Sequence, residues 1–140
     1  MAIGEHPVPG TILICDFKQG FREPEMVKRR PVIVLSPKIG IRAKLCTVVA
    51  LSTTPPRPPM PYHCKLEIDP PLPPRWSGEN WVKGDMIYAV GFHRLDLIRL
   101  GKDNTGKRQY RYDVITPEQM KAVRACVLWG IGLGKLTKHL

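Results

Sequence analysis

The sequence predicts a mainly β protein, a small β-barrel closed by one C-terminal α-helix. Three observations carry that prediction. Short runs of β-branched and apolar residues recur along the chain, turn residues separate them, and a helical period appears only after Thr116. At 140 residues, with no internal repeat and no break in composition, the chain reads as one domain over 1–140 with one hydrophobic core.

The elements follow in order. Thr11 to Phe17, after Pro9-Gly10, is rich in β-formers and predicts the first strand. Residues 18–28 are polar, include Gly20 and Pro24, and read as a long loop. Pro31 to Ser36 predicts a second strand, with its proline at the first position, where a missing N–H is tolerated. Leu45 to Leu51 predicts a third, bounded by Ser52-Thr53-Thr54-Pro55. Two proline-dense stretches, 55–61 and 70–74, read as stiff surface loops because both flank an alternating fourth strand at Tyr62 to Ile68. Trp81 to Val90 predicts a bent strand or a strand pair, with Gly84 at the bend. Residues 102–107 predict a turn before a short strand at Gln109 to Tyr112.

The helix is announced by Thr116-Pro117-Glu118-Gln119, a capping box with proline at the first helical position. Met120, Val123, Val127 and Leu128 then recur at helical spacing, with Lys121 and Arg124 off that face. Gly130, Gly132 and Gly134 weaken the last turns. They form no nucleotide fingerprint, because no strand-to-helix turn precedes them.

The 22 Lys and Arg against 12 Asp and Glu leave a formal charge of +10, which points to a polyanionic partner. The excess is spread over Lys28-Arg29-Arg30, residues 38–44, Arg94 to Arg111 and the C-terminal segment, as on a folded basic surface. No run approaches the roughly 18 apolar residues of a spanning helix. Met1 to Pro7 lacks the pattern of a signal peptide, so a cytoplasmic protein without membrane association is expected. Cys15, Cys46, Cys64 and Cys126 show no metal-ligand spacing. Cys15 and Cys46 read as core residues; free thiols, no metal and no cofactor are expected.

Gly10 to Phe17, Glu25 five residues before Arg30-Pro31, and Val32 to Pro37 together resemble the MazF/PemK toxins of bacterial type II toxin–antitoxin systems. Val48 to Thr54 is similar to the family's strand ending in hydroxyl residues. Val82-Lys83-Gly84-Asp85 resembles the basic-x-acid segment of the Kid-type members. The resemblance runs from about Pro7 onward and includes the C-terminal helix. It implies an SH3-like barrel, a homodimer, metal-independent cleavage of single-stranded RNA, and neutralisation by a cognate antitoxin, with which such toxins bind DNA.

Such cleavage uses the substrate's 2′-hydroxyl as nucleophile on the adjacent phosphate. The enzyme must take one proton, supply another, and hold the extra negative charge. The resemblance implies Arg30 as the phosphate clamp, since a guanidinium stays charged and grips two oxygens. It places Ser52, with Thr53 beside it, at the hydroxyl position, with serine where many members have threonine. Glu25 and Asp85 are implied either as proton acceptors or as residues that order Arg30 and its loop. Lys83 stands where the family has an arginine, and Pro24 where Kid-type members carry a histidine. Lys28, Arg29, Thr54, Lys83 and Arg94 complete the expected RNA-binding set. His63 and His93 match no family catalytic histidine, and no catalytic role is expected for them. Tyr62, Trp76, Trp81 and Phe92 are candidates for base stacking, two or more of them being expected in the core. The rival reading is a non-catalytic relative on the same barrel that binds nucleic acid or a protein target such as gyrase.

Overall fold

A strand buried on both faces reads as a nearly continuous apolar run, and the first three strands have that character. The structure, a computed structural model, describes residues 3–41 and 43–140; Met1, Ala2 and Arg42 of the basic stretch 38–44 lie outside the described residues. Strands β1 (Thr11–Asp16), β2 (Arg29–Val34), β3 (Leu45–Ser52), β4 (His63–Leu66), β5 (Asn80–Gly91) and β6 (Leu95–Asp96) form one antiparallel sheet. Its order is β4-β5-β3-β2-β1-β6. The sheet curls into a half-barrel. β7 (Ile98–Lys102) and β8 (Arg108–Arg111) make a separate hairpin, and β9 (Asp113–Val114) pairs with β1. One helix, α1 (Pro117–Gly130), follows, so the mainly β expectation with a C-terminal helix holds.

Alternation then assigns two cores. Ile12, Ile14, Ile33, Val49, Leu51 and Val82 face α1 and pack on Met120, Val123 and Cys126. Leu13, Cys15, Val32, Val34 and Val48 face the other way and bury Phe17, Phe92 and Leu95. The predicted helix face is therefore shifted slightly: Cys126 is buried, whereas Val127 and Leu128 are half-buried. The capping box forms as read, with Gln119 N–H donating to Thr116 Oγ1 at 3.1 Å and Thr116 N–H donating to Gln119 Oε1 at 3.0 Å. All four cysteines are free.

Other boundaries differ. β2 begins at Arg29, so Pro31 is its third residue rather than its first. The proline is tolerated because the β2–β3 ladder begins only at Val32. β4 is shorter than the alternating run. β5 is one long strand with a bulge, since Val49 pairs with Ile87 but Ala50 pairs with Lys83. Gly84 falls in that bulge. A Cβ there would lie 2.3 Å from the Cys126 carbonyl oxygen, so the glycine lets α1 approach the strand.

Candidate functional site

Period two sorts the basic run at the start of β2. Arg30 pairs with Cys15 and shares the face of Val32, while Arg29 pairs with Asp16 and shares the opposite face with Ile33. The β2–β3 ladder ends at Val32 opposite Ala50, so Arg30 and Ser52 each lie two residues beyond its last pair, at the same end of the two strands. Ser52 in turn pairs with Trp81 of β5, and Trp81 with Lys65 of β4. At that end of the sheet Cys15 pairs with Arg30, and a first cross-strand row runs Ser52, Trp81, Lys65. The next row on that face runs Leu13, Val32, Ala50, Lys83, His63. Directly opposed side chains in such rows have Cβ atoms about 5 Å apart.

Within this patch Arg30 is half-buried, and its Nε is buried without an acceptor among the described residues. A charged donor in that condition is costly unless something else meets it. Ser52 Oγ accepts Thr54 N–H at 3.1 Å and so folds the strand end into a hydroxyl corner. Thr53 is half-buried and Thr54 exposed in that corner. Cys15 beneath Arg30 is pushed up to about 12 by burial, with Arg94 pulling the other way, so the thiol stays protonated and is no nucleophile.

The carboxylates lie beside this row. Glu25 and Asp85 line one shallow depression with Pro24, Met86, Ile87 and Tyr88. Glu25 Oε1 accepts Arg22 N–H at 3.0 Å, which makes it a turn residue of the 17–28 loop. Asp85 is exposed at the β5 bulge. Burial raises the Tyr88 phenol, the Met26 N–H lowers it, and Glu25 and Asp85 raise it further, so it remains neutral. Its hydroxyl oxygen accepts Met26 N–H at 3.0 Å. Phe17, Phe21 and Tyr88 pack ring to ring with centroids 5.0 to 5.5 Å apart, fastening the loop over the sheet.

The expected RNA-binding residues divide. Lys83 is half-buried in the second row, and Lys28 is exposed at the end of the loop. Arg29 lies on the opposite face, 3.5 Å from Asp96. Arg94 donates to the Asp16 carbonyl at 3.1 Å and covers the Phe21 ring at 4.8 Å, which is a loop-holding geometry. Phe92 is buried and Trp76 packs against the core, leaving Trp81 as the aromatic of the first row.

The sequence led to no catalytic role for His63, which the register sets opposite Lys83. Burial and Lys83 lower its pKa from an ordinary 6.5, with Asp85 opposing them, so the ring is neutral at pH 7. Its alternating strand was legible; its cross-strand neighbour on the next strand, β5, was not. No group of three or more His, Cys, Asp or Glu suited to a metal ion occurs among the described residues.

A family model described as "PemK-like, MazF-like toxin of type II toxin-antitoxin system" matches residues 9–129. Among curated proteins no match is found. A mycobacterial structure described as an endoribonuclease in complex with its cognate antitoxin has 20% identity and a TM-score of 0.61, covering 91% of this chain and 97% of the other. MazF from Deinococcus radiodurans has 17% identity and a TM-score of 0.62, covering 92% and 99%. At these identities the likeness to solved structures is one of fold.

Proposed function

The chain belongs to the PemK-like, MazF-like toxins of type II toxin–antitoxin systems, and from that premise we propose that it is a metal-independent endoribonuclease acting on single-stranded RNA. One observation carries the reading. Arg30, whose buried Nε has no acceptor among the described residues, and the hydroxyl corner at Ser52 lie on the same face, each two residues beyond the last β2–β3 pair. A fork of donors beside a hydroxyl suits a phosphate that gains charge.

In the proposed reaction the RNA 2′-oxygen loses its proton and attacks the adjacent phosphorus. The bond to the 5′-oxygen breaks, and that oxygen takes up a proton. The products are a 2′,3′-cyclic phosphate and a 5′-hydroxyl. Arg30 holds the phosphate through the dianionic stage, and the Ser52 and Thr53 hydroxyls donate to its oxygens. Asp85 is assigned the 2′ proton, because Glu25 Oε1 is already engaged by Arg22 N–H. Lys83 adds charge without the bidentate fork of an arginine. Trp81 offers a ring beside Ser52 for a base. The absence of the 2′-hydroxyl makes DNA a non-substrate. In the cytoplasm the toxin acts as a homodimer and is neutralised by a cognate antitoxin; the antitoxin-bound mycobacterial relative supports that partner.

The test is incubation of the protein with a long single-stranded RNA in EDTA, followed by mapping of the cut ends. The expected result is cleavage leaving 5′-hydroxyl ends, reduced by about 100-fold or more in Arg30→Ala. Exposed Arg108 serves as the control, with Arg108→Ala as active as the parent. Binding without any cleavage would instead establish a non-catalytic member on the same fold.

A further inference from the structure

Residues 55–59 read Pro-Pro-Arg-Pro-Pro, so four of the five have φ held near −65° and the segment has little freedom of its own. Its course is set by how its two ends are tied. At the start, Ser52 Oγ accepts Thr54 N–H. At the far end, His63 N–H donates to the Met60 carbonyl at 2.9 Å, and Met60 N–H donates to His63 Nδ1 at 3.0 Å. Between the ties, Pro56 is buried. The second tie has a chemical condition. A ring nitrogen that accepts an N–H carries no proton, so the bond exists only in the neutral imidazole with its proton on Nε2. The charged groups acting on the ring both come from β5: Lys83 opposes protonation and Asp85 favours it. The Tyr62 ring lies against it with centroids 4.5 Å apart.

We propose that His63 is a positioning residue: its neutral ring latches residues 53–62, and with them the Ser52–Thr54 corner, and protonation of Nδ1 opens the latch. The consequence for cleavage rests on the nuclease reading; the latch itself does not. Burial and Lys83 keep the ring neutral at pH 7, so the latch is closed there and opens on acidification below the ordinary value of 6.5. The unfolded chain binds this proton more readily than the folded one. The contribution of His63 to stability is therefore present above that window and lost as pH falls through it.

The experiment uses the full chain and two variants. His63→Asn places an amide oxygen near the position of Nδ1, an acceptor that does not titrate, and His63→Leu has no acceptor. Hydrogen exchange of the Met60 amide is read by NMR near pH 5 and near pH 8, corrected for intrinsic rates. The parent should be protected at the higher pH and lose about tenfold or more of that protection as the ring titrates. His63→Asn should stay protected at both, and His63→Leu at neither, while the Val49 and Val82 amides stay protected and show an intact sheet. Met60 protection that ignores the ring's titration would overturn the latch, as would His63→Asn behaving like His63→Leu. In RNA cleavage, His63→Asn should lose part of the acid-side fall seen in the parent. An unchanged acid limb would overturn the functional role of the latch. A latch that opens as described in a protein that never cuts RNA would leave the latch standing and remove the nuclease reading.

Discussion

Arg30 keeps a buried Nε without an acceptor, Arg29 faces Asp96 across the other side of the sheet, and Arg94 lies over Phe21. Three equal charges near one end of β1 and β2 thus have three surroundings: the Nε atoms of Arg29 and Arg30 are both buried without a hydrogen-bond partner among the described residues, but Arg29 is paired with Asp96 on the far face, and only Arg30 shares the face of the Ser52 corner. If Arg30 binds a phosphate bidentately, Arg30→Lys should restore only part of the activity lost in Arg30→Ala, measured as kcat/KM on one RNA. Arg111 makes the opposite case. Its side chain is 9% exposed, pairs with Asp113 and donates to the carbonyls of Pro70 and Pro71. It fastens the second proline stretch to the hairpin. Arg111→Ala should lower stability by about 1.5–3 kcal/mol, read from the midpoint of chemical denaturation, with RNA binding unchanged in the folded protein. Nothing in the residue type separates Arg111 from Arg30; burial and partners do.

Elements meet most closely where α1 crosses β5. A Cβ on Gly130 would lie 2.2 Å from the Gly84 carbonyl oxygen, and one on Gly84 would lie 2.3 Å from the Cys126 carbonyl oxygen. Both obstacles are backbone, so neither rotates aside. For a helix interior, Gly→Ala is expected to stabilise by about 1 kcal/mol. Here the sign should reverse: Gly130→Ala and Gly84→Ala should each destabilise by about 1–3 kcal/mol, read from thermal or chemical unfolding. Stabilisation by Gly130→Ala would mean that the helix does not rest on the strand. The capping box and apolar period made α1 legible from its sequence, because helical hydrogen bonds are local. β6 and β9 were not legible, being two residues long and held by pairing with β1, and the β7 segment carries little apolar periodicity. The β5 bulge was half legible, as a glycine that implied a bend.

At the scale of the molecule, the chain carries a formal charge of +10, and among the described residues no helix is long and apolar enough to cross a membrane. Binding to a polyanion should then be dominated by counterion release. Affinity for a single-stranded RNA blocked by 2′-O-methyl groups should fall linearly in log–log against salt. Arg30→Ala should reduce the slope by about 0.7, the value of one phosphate contact on a single strand. An unchanged slope would take Arg30 out of the phosphate path. By itself the sequence determined what depends on local spacing: apolar runs for β1 to β3, the capped helix, the hydroxyl residues closing β3 and the excess of basic charge. Tertiary structure decided which residues face one another. Arg30 shares a face and a sheet end with Ser52, and Lys83 stands opposite His63, only because ladders between separate strands settle into one register. Register is set by the sum of packing on two buried faces, and no single segment contains that sum.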